Sequence, residues 1–299
     1  MLKVLGTRPY KDKTRNYGDC IVYIDSDTAI IYDCGSVEHA ERVIQLLDQY
    51  GIEQAVLILS HNDDDHFGGI HYLIDAGRVS KLFTILLLKY KDQILDAIDD
   101  KRHTRESIGE QIKAAYDNIA SLSKTVELRD VYKDTTELPD AVHFIGPDFG
   151  YMIEAVAKGL DNRQGDTIDK ETITNATSIQ IQLTFGNKKL LLTGDCAPDA
   201  IPDEVELSSM DYIQLPHHGK SSSAEEIFDR VGQNNRIIYI VSDNTGNSNG
   251  GSDDLNSRGK NVRNTKTGDD IDEDNIHSPI KKAGLLLSPL TGRTLGRHK

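Results

Sequence analysis

One short stretch limits what this chain can fold into more than any other: His61-Asn62-Asp63-Asp64-Asp65-His66, followed at once by Phe67-Gly68-Gly69. It stands directly after the apolar run Ala55-Val56-Leu57-Ile58-Leu59-Ser60, which reads as a buried strand. The imidazoles and carboxylates are therefore expected on the loop at a strand end, where a rigid element supports an irregular turn and side chains converge from several directions. His61 and Asp63, two positions apart, can address one cation, and the adjacent Asp65 and His66 a second, with Asp64 turned away. Mixed nitrogen and oxygen donors suit Zn, Mn, Fe or Co better than the all-oxygen cage of Ca or Mg. Gly68 and Gly69 supply backbone freedom where the chain passes close to such a site.

Matching residues lie in the second half. Lys189-Leu190-Leu191-Leu192-Thr193-Gly194-Asp195 is an apolar strand ending in a carboxylate able to bridge two cations. Tyr212-Ile213-Gln214-Leu215-Pro216-His217-His218-Gly219 is another strand, ending in a histidine pair. Taken alone, Gly-Asp is an ordinary turn and a histidine pair an ordinary solvated one. Three strand-end clusters in this order reinforce one another.

In that order the clusters resemble a metallo-β-lactamase-fold hydrolase. That superfamily carries a His-x-His-x-Asp-His motif, a later Asp that bridges the metals and a last His at a strand end. Here Asp63 stands at the second His. That substitution, with Leu191-Leu192-Thr193-Gly194-Asp195 and His217-His218-Gly219, is similar to the soluble hydrolase domain of ComEC-type DNA-uptake proteins and their stand-alone relatives. The stretches Tyr17-Gly18-Asp19-Cys20-Ile21-Val22-Tyr23-Ile24 and Ile30-Ile31-Tyr32-Asp33-Cys34-Gly35 look like that group's opening hairpin, and the resemblance spans roughly residues 1–245.

The resemblance implies an α/β fold, a four-layer αββα sandwich holding two divalent ions, Zn or Mn. His61, Asp63, Asp65 and His66 would hold them, Asp195 would bridge, and either His217 or His218 would be the last ligand. Asp65, Asp195, His217 and His218 form the implied catalytic set, with the histidine not spent on metal free to orient a phosphate or protonate a leaving group. The superfamily's further His for the first ion is missing, since that segment reads Thr174-Asn175-Ala176-Thr177-Ser178-Ile179. Asn175, Thr177 or water would complete a first site that is only partly occupied. Asp63 in place of His moves the preference from Zn toward Mn.

At 299 residues and 37% hydrophobic, the chain can bury one large core. No apolar run approaches the ~18 to 20 residues of a membrane span. Met1-Leu2-Lys3-Val4-Leu5-Gly6 is too short for a secretory signal, so a cytoplasmic location away from membranes is expected. Cys20, Cys34 and Cys196 form no Cys-x-x-Cys pair, and the odd number argues against a disulfide framework. They read as small buried residues beside strand ends.

Residues 1–242 are expected to form one domain with a helical insertion at about 91–137. Val37 to Tyr50 has a helical period stopped by Gly51, and the second half reads strand 179–185, turn Gly186-Asn187, strand 189–193, helix 197–206, strand to Leu215, helix 224–231 and strand 236–241. Residues 161–175 read as a polar loop hanging over the site. Residues 243–276, rich in Gly, Ser, Asn and Asp, lack the apolar content to order themselves and predict a flexible flap. Residues 277–299 would return to the same domain, with His277-Ser278-Pro279 echoing a late His-Pro element of ComEC-type domains.

The activity implied is hydrolysis by a metal-bound hydroxide, with no side-chain nucleophile. A phosphodiesterase or nuclease acting on a nucleic acid or nucleotide leads. The alternatives are a lactone, β-lactam or thioester hydrolase, which predicts an apolar acyl pocket, and a subunit with a structural metal site that works with a protein partner. A formal net charge of −14 opposes long duplex nucleic acid and favours a nucleotide or a short single strand. Lys220 and Asn175 are the candidate substrate contacts, supplemented by Arg258, Lys260, Arg263 and Lys266 of the flap, whereas Lys89, Lys91, Lys101, Arg102 and Arg105 read as a solvated helix face.

Overall fold

The structure, a computed structural model, describes residues 1–277 other than 13, 99–103, 116, 123–124, 162–166 and 245–250. Residues 278–299, and with them Ser278 and Pro279, lie outside the described residues, as do Lys101 and Arg102.

Two mixed sheets lie face to face. The first runs in the order β15 (Ile271–Asp272), β1 (Leu2–Val4), β2 (Ile21–Asp25), β3 (Thr28–Tyr32), β4 (Ala55–Ile58), β5 (Val79–Thr84) and β6 (Glu127–Asp130). The second runs β14 (Asn261–Asn264), β13 (Ile238–Val241), β12 (Tyr212–Gln214), β11 (Lys188–Leu192), β10 (Gln180–Phe185) and β7 (Val142–Gly146). A separate two-stranded hairpin pairs β8 (Thr167–Ile168) with β9 (Glu171–Thr172).

Period-two alternation builds the layers. Ile30 and Tyr32 of β3, with Leu190 and Leu192 of β11, fill the core between the sheets. Ile31 faces the other way, against Ala40, Val43 and Leu47 of helix Val37–Tyr50. Leu191 likewise turns outward onto Ile227 and Phe228 of helix Ser221–Val231. The order is helix, sheet, sheet, helix, the expected αββα sandwich. Helix Val37–Tyr50 has the expected bounds: the Ser36 side chain accepts from His39 N at 3.2 Å, and Gly51 ends it at φ 68°.

Topology positions the site. Strands β3 to β6 are mutually parallel, and so are β11 to β14. The carboxyl ends of β3, β4, β11, β12 and β13 lead into Asp33, Ser60-His61, Gly194-Asp195, His217-His218 and Ser242. Ligand sites of open α/β sheets lie at such strand ends.

Three expectations are corrected. The helix expected over 197–206 is replaced by short 3-10 turns at Pro198–Ala200 and Leu207–Ser209, since Pro202 lacks the N–H and the space a helix interior needs. The insertion expected over about 91–137 is helical at Lys91–Ala97, Arg105–Ala115 and Asp117–Leu122, but Glu127–Asp130 then leaves it to become edge strand β6, with Val126 buried and Leu128 packed on the outer core. Of the flap expected over 243–276, residues 245–250 lie outside the described residues, and the part from 251 onward supplies an edge strand to each sheet, β14 beside β13 and β15 beside β1. Backbone pairing and the Arg42–Asp270 ion pair at 2.7 Å hold it, so its poverty in apolar residues did not keep it from ordering.

Candidate metal centre

Four histidines meet between the sheets, and each has its Nδ1 occupied by the surrounding structure. His66 Nδ1 lies 2.8 Å from Asp33 Oδ2. His61 Nδ1 faces Ser60 Oγ at 2.9 Å and Ser178 Oγ at 3.1 Å, and Ser60 Oγ in turn donates to Asp33 Oδ2 at 2.6 Å. His218 Nδ1 donates to the Ser242 carbonyl at 2.9 Å, with Asp19 Oδ1 at 3.1 Å. His217 Nδ1 lies 2.7 Å from Glu171 Oε2. A partner on Nδ1 fixes the ring and aims Nε2 the other way.

The Nε2 atoms converge on Asp195. Its Oδ1 is 3.2 Å from His66 Nε2, and its Oδ2 is 3.7 Å from His218 Nε2 and 3.8 Å from His217 Nε2. Asp65 Oδ2 completes this side, 3.1 Å from His218 Nε2 and held by Asn16 Nδ2 at 2.8 Å. Asp63 Oδ2 is 3.8 Å from His61 Nε2, and Asp64, expected to turn away, is exposed but lines the cleft beside Asp63 and Asp65.

The backbone is bent to make this possible. His217 and His218 both take left-handed conformations, φ 51° and 53°, before Gly219 at φ 80°. For non-glycine residues such conformations cost of order 1–3 kcal/mol each and persist where the surroundings impose them. Gly18 is needed because a Cβ there would collide with the Asp65 carbonyl.

Burial sets the electrostatics. It pushes the His61 imidazole down to about 3, helped by the positive His66 beside it. Burial also opposes charge on His66 and His218, but Asp195 with Asp33, and Asp195 with Asp19, raise these two well above the usual imidazole range. Desolvation would raise Asp195, yet the same imidazolium rings hold its carboxyl well below the ordinary value. Without an ion, protons thus balance the buried carboxylates; a divalent cation would displace them.

The donor set fits divalent cations. His61 Nε2, His66 Nε2, Asp195 Oδ1 and Asn175 Oδ1 are buried without a hydrogen-bond partner, although native structures rarely leave such atoms unpaired. Atoms of His61, His66 and Asp195 lie within 4.8 Å of one another, as do atoms of Asp19, His66 and His218. His61 with Asp63 and Asp195 would hold one ion, and Asp65, His66, Asp195 and His218 another.

The structure gathers His61, Asp63, Asp65, His66, Asp195, His217 and His218 into one centre. The two members of the pair are placed differently: His218 is buried in a group that could hold a metal ion, while His217 lines the cleft. Asn175 reaches the cleft with its oxygen unpaired, but Thr177 spends its hydroxyl on the Ile173 carbonyl at 2.8 Å. Lys220 lies on Glu171 Oε1 at 2.8 Å rather than reaching into the cleft. In the expected flap, Arg258 is paired with Asp229 and Lys266 with Asp253.

Sequence reasoning did not single out Asp19, Asp33, Ser60, Ser178 or Glu171 as site residues. Asp19 and Asp33 had a signal, a carboxylate at each end of the opening hairpin; Glu171 had none.

Residues 14–86 match the sequence profile of the Metallo-beta-lactamase superfamily. The chain is similar in structure to the metallo-beta-lactamase fold protein YhfI from Bacillus subtilis, at 13% identity and TM-score 0.50, covering 91% of this chain and 100% of that one. The fold is that of the metallo-β-lactamases. The match to Zn(2+)-bound PqqB from Methylobacterium extorquens has 11% identity and TM-score 0.43, covering 91% of this chain and 100% of that one. The match to the short form of human tRNase Z has 12% identity and TM-score 0.39, covering 80% and 92%. No curated protein matches in sequence. In this metallo-β-lactamase fold, the profile match spans the opening hairpin and the first ligand cluster. Among the described residues, no helix is long and apolar enough to cross a membrane.

Proposed function

We propose that the protein is a metal-dependent hydrolase, and that its substrate is a compact phosphodiester, a nucleotide or short single strand. The observation that carries the reading is the set of buried, unpartnered donor atoms of His61, His66 and Asp195, gathered where Asp195, with Asp63, Asp65 and His217, lines an open cleft of about 590 Å³. Bound divalent ions would supply an activated water and neutralise charge developing on the substrate's oxygens. The chain's own residues orient the donors: Asp33 fixes His66 and, through Ser60, His61, while Ser242 and Asp19 fix His218.

The cleft's lining favours a phosphodiester over an acyl substrate. Asn62, Asp63, Asp64, Asp65, Thr172, Asn175, Asp195 and His217 form its walls, with no apolar side chain among the described residues to seat an acyl group. The adjoining hollow beside Ile85, Leu87 and Ile119 has about 20 Å³, room for a water. Among the described residues, no lysine or arginine lines the main cleft, which supports a small anion held by divalent ions over a long polyanion. Asp63 at the second histidine of the motif supports kinship with ComEC-type hydrolase domains.

The test is hydrolysis of bis-p-nitrophenyl phosphate, a dinucleotide and labelled single- and double-stranded DNA, with Mn, Zn or chelator and with Asp195→Asn as blank. Metal-dependent turnover of the small diesters, absent from the variant, is expected. Turnover of a lactone or thioester alone would overturn the substrate class.

A further inference from the structure

The hairpin of β8 and β9, whose Thr172 lines the cleft, delivers one carboxylate, Glu171, which is 2% exposed. Three donors converge on it. His217 Nδ1 lies 2.7 Å from Oε2, while Lys220 Nζ at 2.8 Å and Ser223 Oγ at 3.2 Å reach Oε1. Lys220 and Ser223 come from the turn and helix after the histidine pair, so the arrangement ties hairpin, turn and helix together. The charge of Lys220 compensates a carboxylate that would otherwise be costly to bury.

The two adjacent histidines are thus oriented differently. His218 turns inward, with Nε2 on Asp65 and Nδ1 on a backbone carbonyl. His217 lines the cleft with 16% of its side chain exposed, and its partner is a buried carboxylate rather than a backbone group. With Nδ1–H donated to Glu171, the Nε2 lone pair points to the cleft beside Asp195. An acceptor there can orient an incoming water; it adds little to a centre already served by His218.

We infer that Glu171 is a positioning residue that holds His217 as the acceptor orienting the attacking water, and that His218 alone of the pair is an ion ligand. This rests on reading the cleft as hydrolytic. The step is a displacement in which the water oxygen bonds to the electrophilic centre, the bond to the leaving group breaks, one water proton passes through solvent to the departing oxygen, and His217 Nε2 accepts the hydrogen bond of the other O–H. Lys220 then serves Glu171 and does not contact substrate.

The test compares wild type with Glu171→Leu, Glu171→Gln, His217→Ala and His218→Ala in the metal-loaded protein. With cadmium-113 as the probe ion and 15N-labelled histidine, coupling to cadmium is expected for His218 and not for His217, and His217 should show the Nδ1–H tautomer. Glu171→Leu should lose that tautomer, and Glu171→Gln, whose amide oxygen can still accept, should keep it. In turnover, Glu171→Leu and His217→Ala should each lower kcat about 10- to 100-fold at nearly unchanged KM, the double variant should be no worse, and Glu171→Gln should recover most of the loss. Cadmium coupling to His217, additive losses, a rise in KM alone, or a Gln variant as poor as Leu would each overturn the inference. Should wild type turn over none of the substrates, the hydrolytic reading falls, while the cadmium and tautomer spectra still decide where His217 points and whether Glu171 places it there.

Discussion

Two regions of the molecule bury histidine completely, and they treat it in opposite ways. Under helix Val37–Tyr50, His39 is 0% exposed and has both ring nitrogens engaged: the Tyr10 hydroxyl donates to Nδ1 at 2.7 Å, and Nε2–H donates to the Gly18 carbonyl at 3.2 Å. Between the sheets, His66 is equally buried and has Nδ1 engaged by Asp33, yet its Nε2 makes no well-formed hydrogen bond and faces the Asp195 carboxylate at 3.2 Å. Burial is therefore no mark of a ligand in this protein. What separates the regions is whether the chain completes the hydrogen bonding of the ring or leaves one nitrogen for something the chain does not supply.

The sharpest way to break this comparison is to remove the carboxylate on which the open nitrogens converge. Asp195→Asn is expected to lower turnover by about a thousandfold or more, equivalent to ~4 kcal/mol of the transition-state stabilisation that ions supply. Bound metal, measured by elemental analysis, should fall with it. His39→Gln is the matched control: it should alter folding stability but leave metal stoichiometry at the wild-type value. Loss of metal from His39→Gln, or full retention in Asp195→Asn, would erase the distinction between the regions.

His39 also carries a pH signature. Burial first, then the Arg42 charge nearby, lowers its folded pKa to about 4 from the ordinary 6.5. Between those values the unfolded chain takes up a proton that the folded one refuses, so stability falls as pH drops from 6.5 toward 4 and is unaffected by this group above 6.5. Full expression amounts to about 3 kcal/mol. Denaturant melts of metal-free protein should show a steeper loss across this window for wild type than for His39→Gln, whatever the difference in their absolute stabilities. Parallel curves would mean that His39 is already charged in the folded state.

Asp33 provides a smaller effect. It touches no ion site itself but receives the Ser60 N–H at 2.7 Å, the Ser60 hydroxyl and His66 Nδ1. Outer partners of ligating histidines typically contribute 10- to 100-fold in metal affinity, so Asp33→Asn should weaken Zn or Mn binding by about that factor in a chelator competition. An unchanged affinity would show that packing alone orients His66.

Much of this was legible in the sequence because the relevant groups are contiguous with strongly patterned strands. The runs 55–60 and 189–193 announce strands, and their polar ends announce the centre. His39 lay within a predicted helix and was never a ligand candidate. Glu171 was illegible because nothing in a single sequence ties a residue on a two-residue strand to a histidine 46 positions later. The order in residues 251–277 was illegible for another reason. Its two strands are held by backbone pairing at sheet edges and by the ion pairs of Asp270 with Arg42 and Lys3, and composition reports on neither.

The smallest expected effect concerns how the proposed anionic substrate would extend beyond the candidate metal centre. A second cleft of about 390 Å³ shares Asp64 and Asp65 with the first and is lined by Arg15, Asn16, Gly35 and Gly68. Arg15 pairs with Glu38 at 2.7 Å with half its own side chain exposed, an arrangement typically worth less than ~1 kcal/mol. Its guanidinium can therefore exchange Glu38 for a phosphate at little cost. Arg15→Ala should raise KM for a dinucleotide about threefold while leaving kcat, and both constants for bis-p-nitrophenyl phosphate, nearly unchanged. The effect should shrink as salt rises, because an exposed contact is screened. A change in kcat would instead tie Arg15 to the centre through Asn16, whose amide holds Asp65 at 2.8 Å, and the boundary between open and completed hydrogen bonding would then extend to the surface.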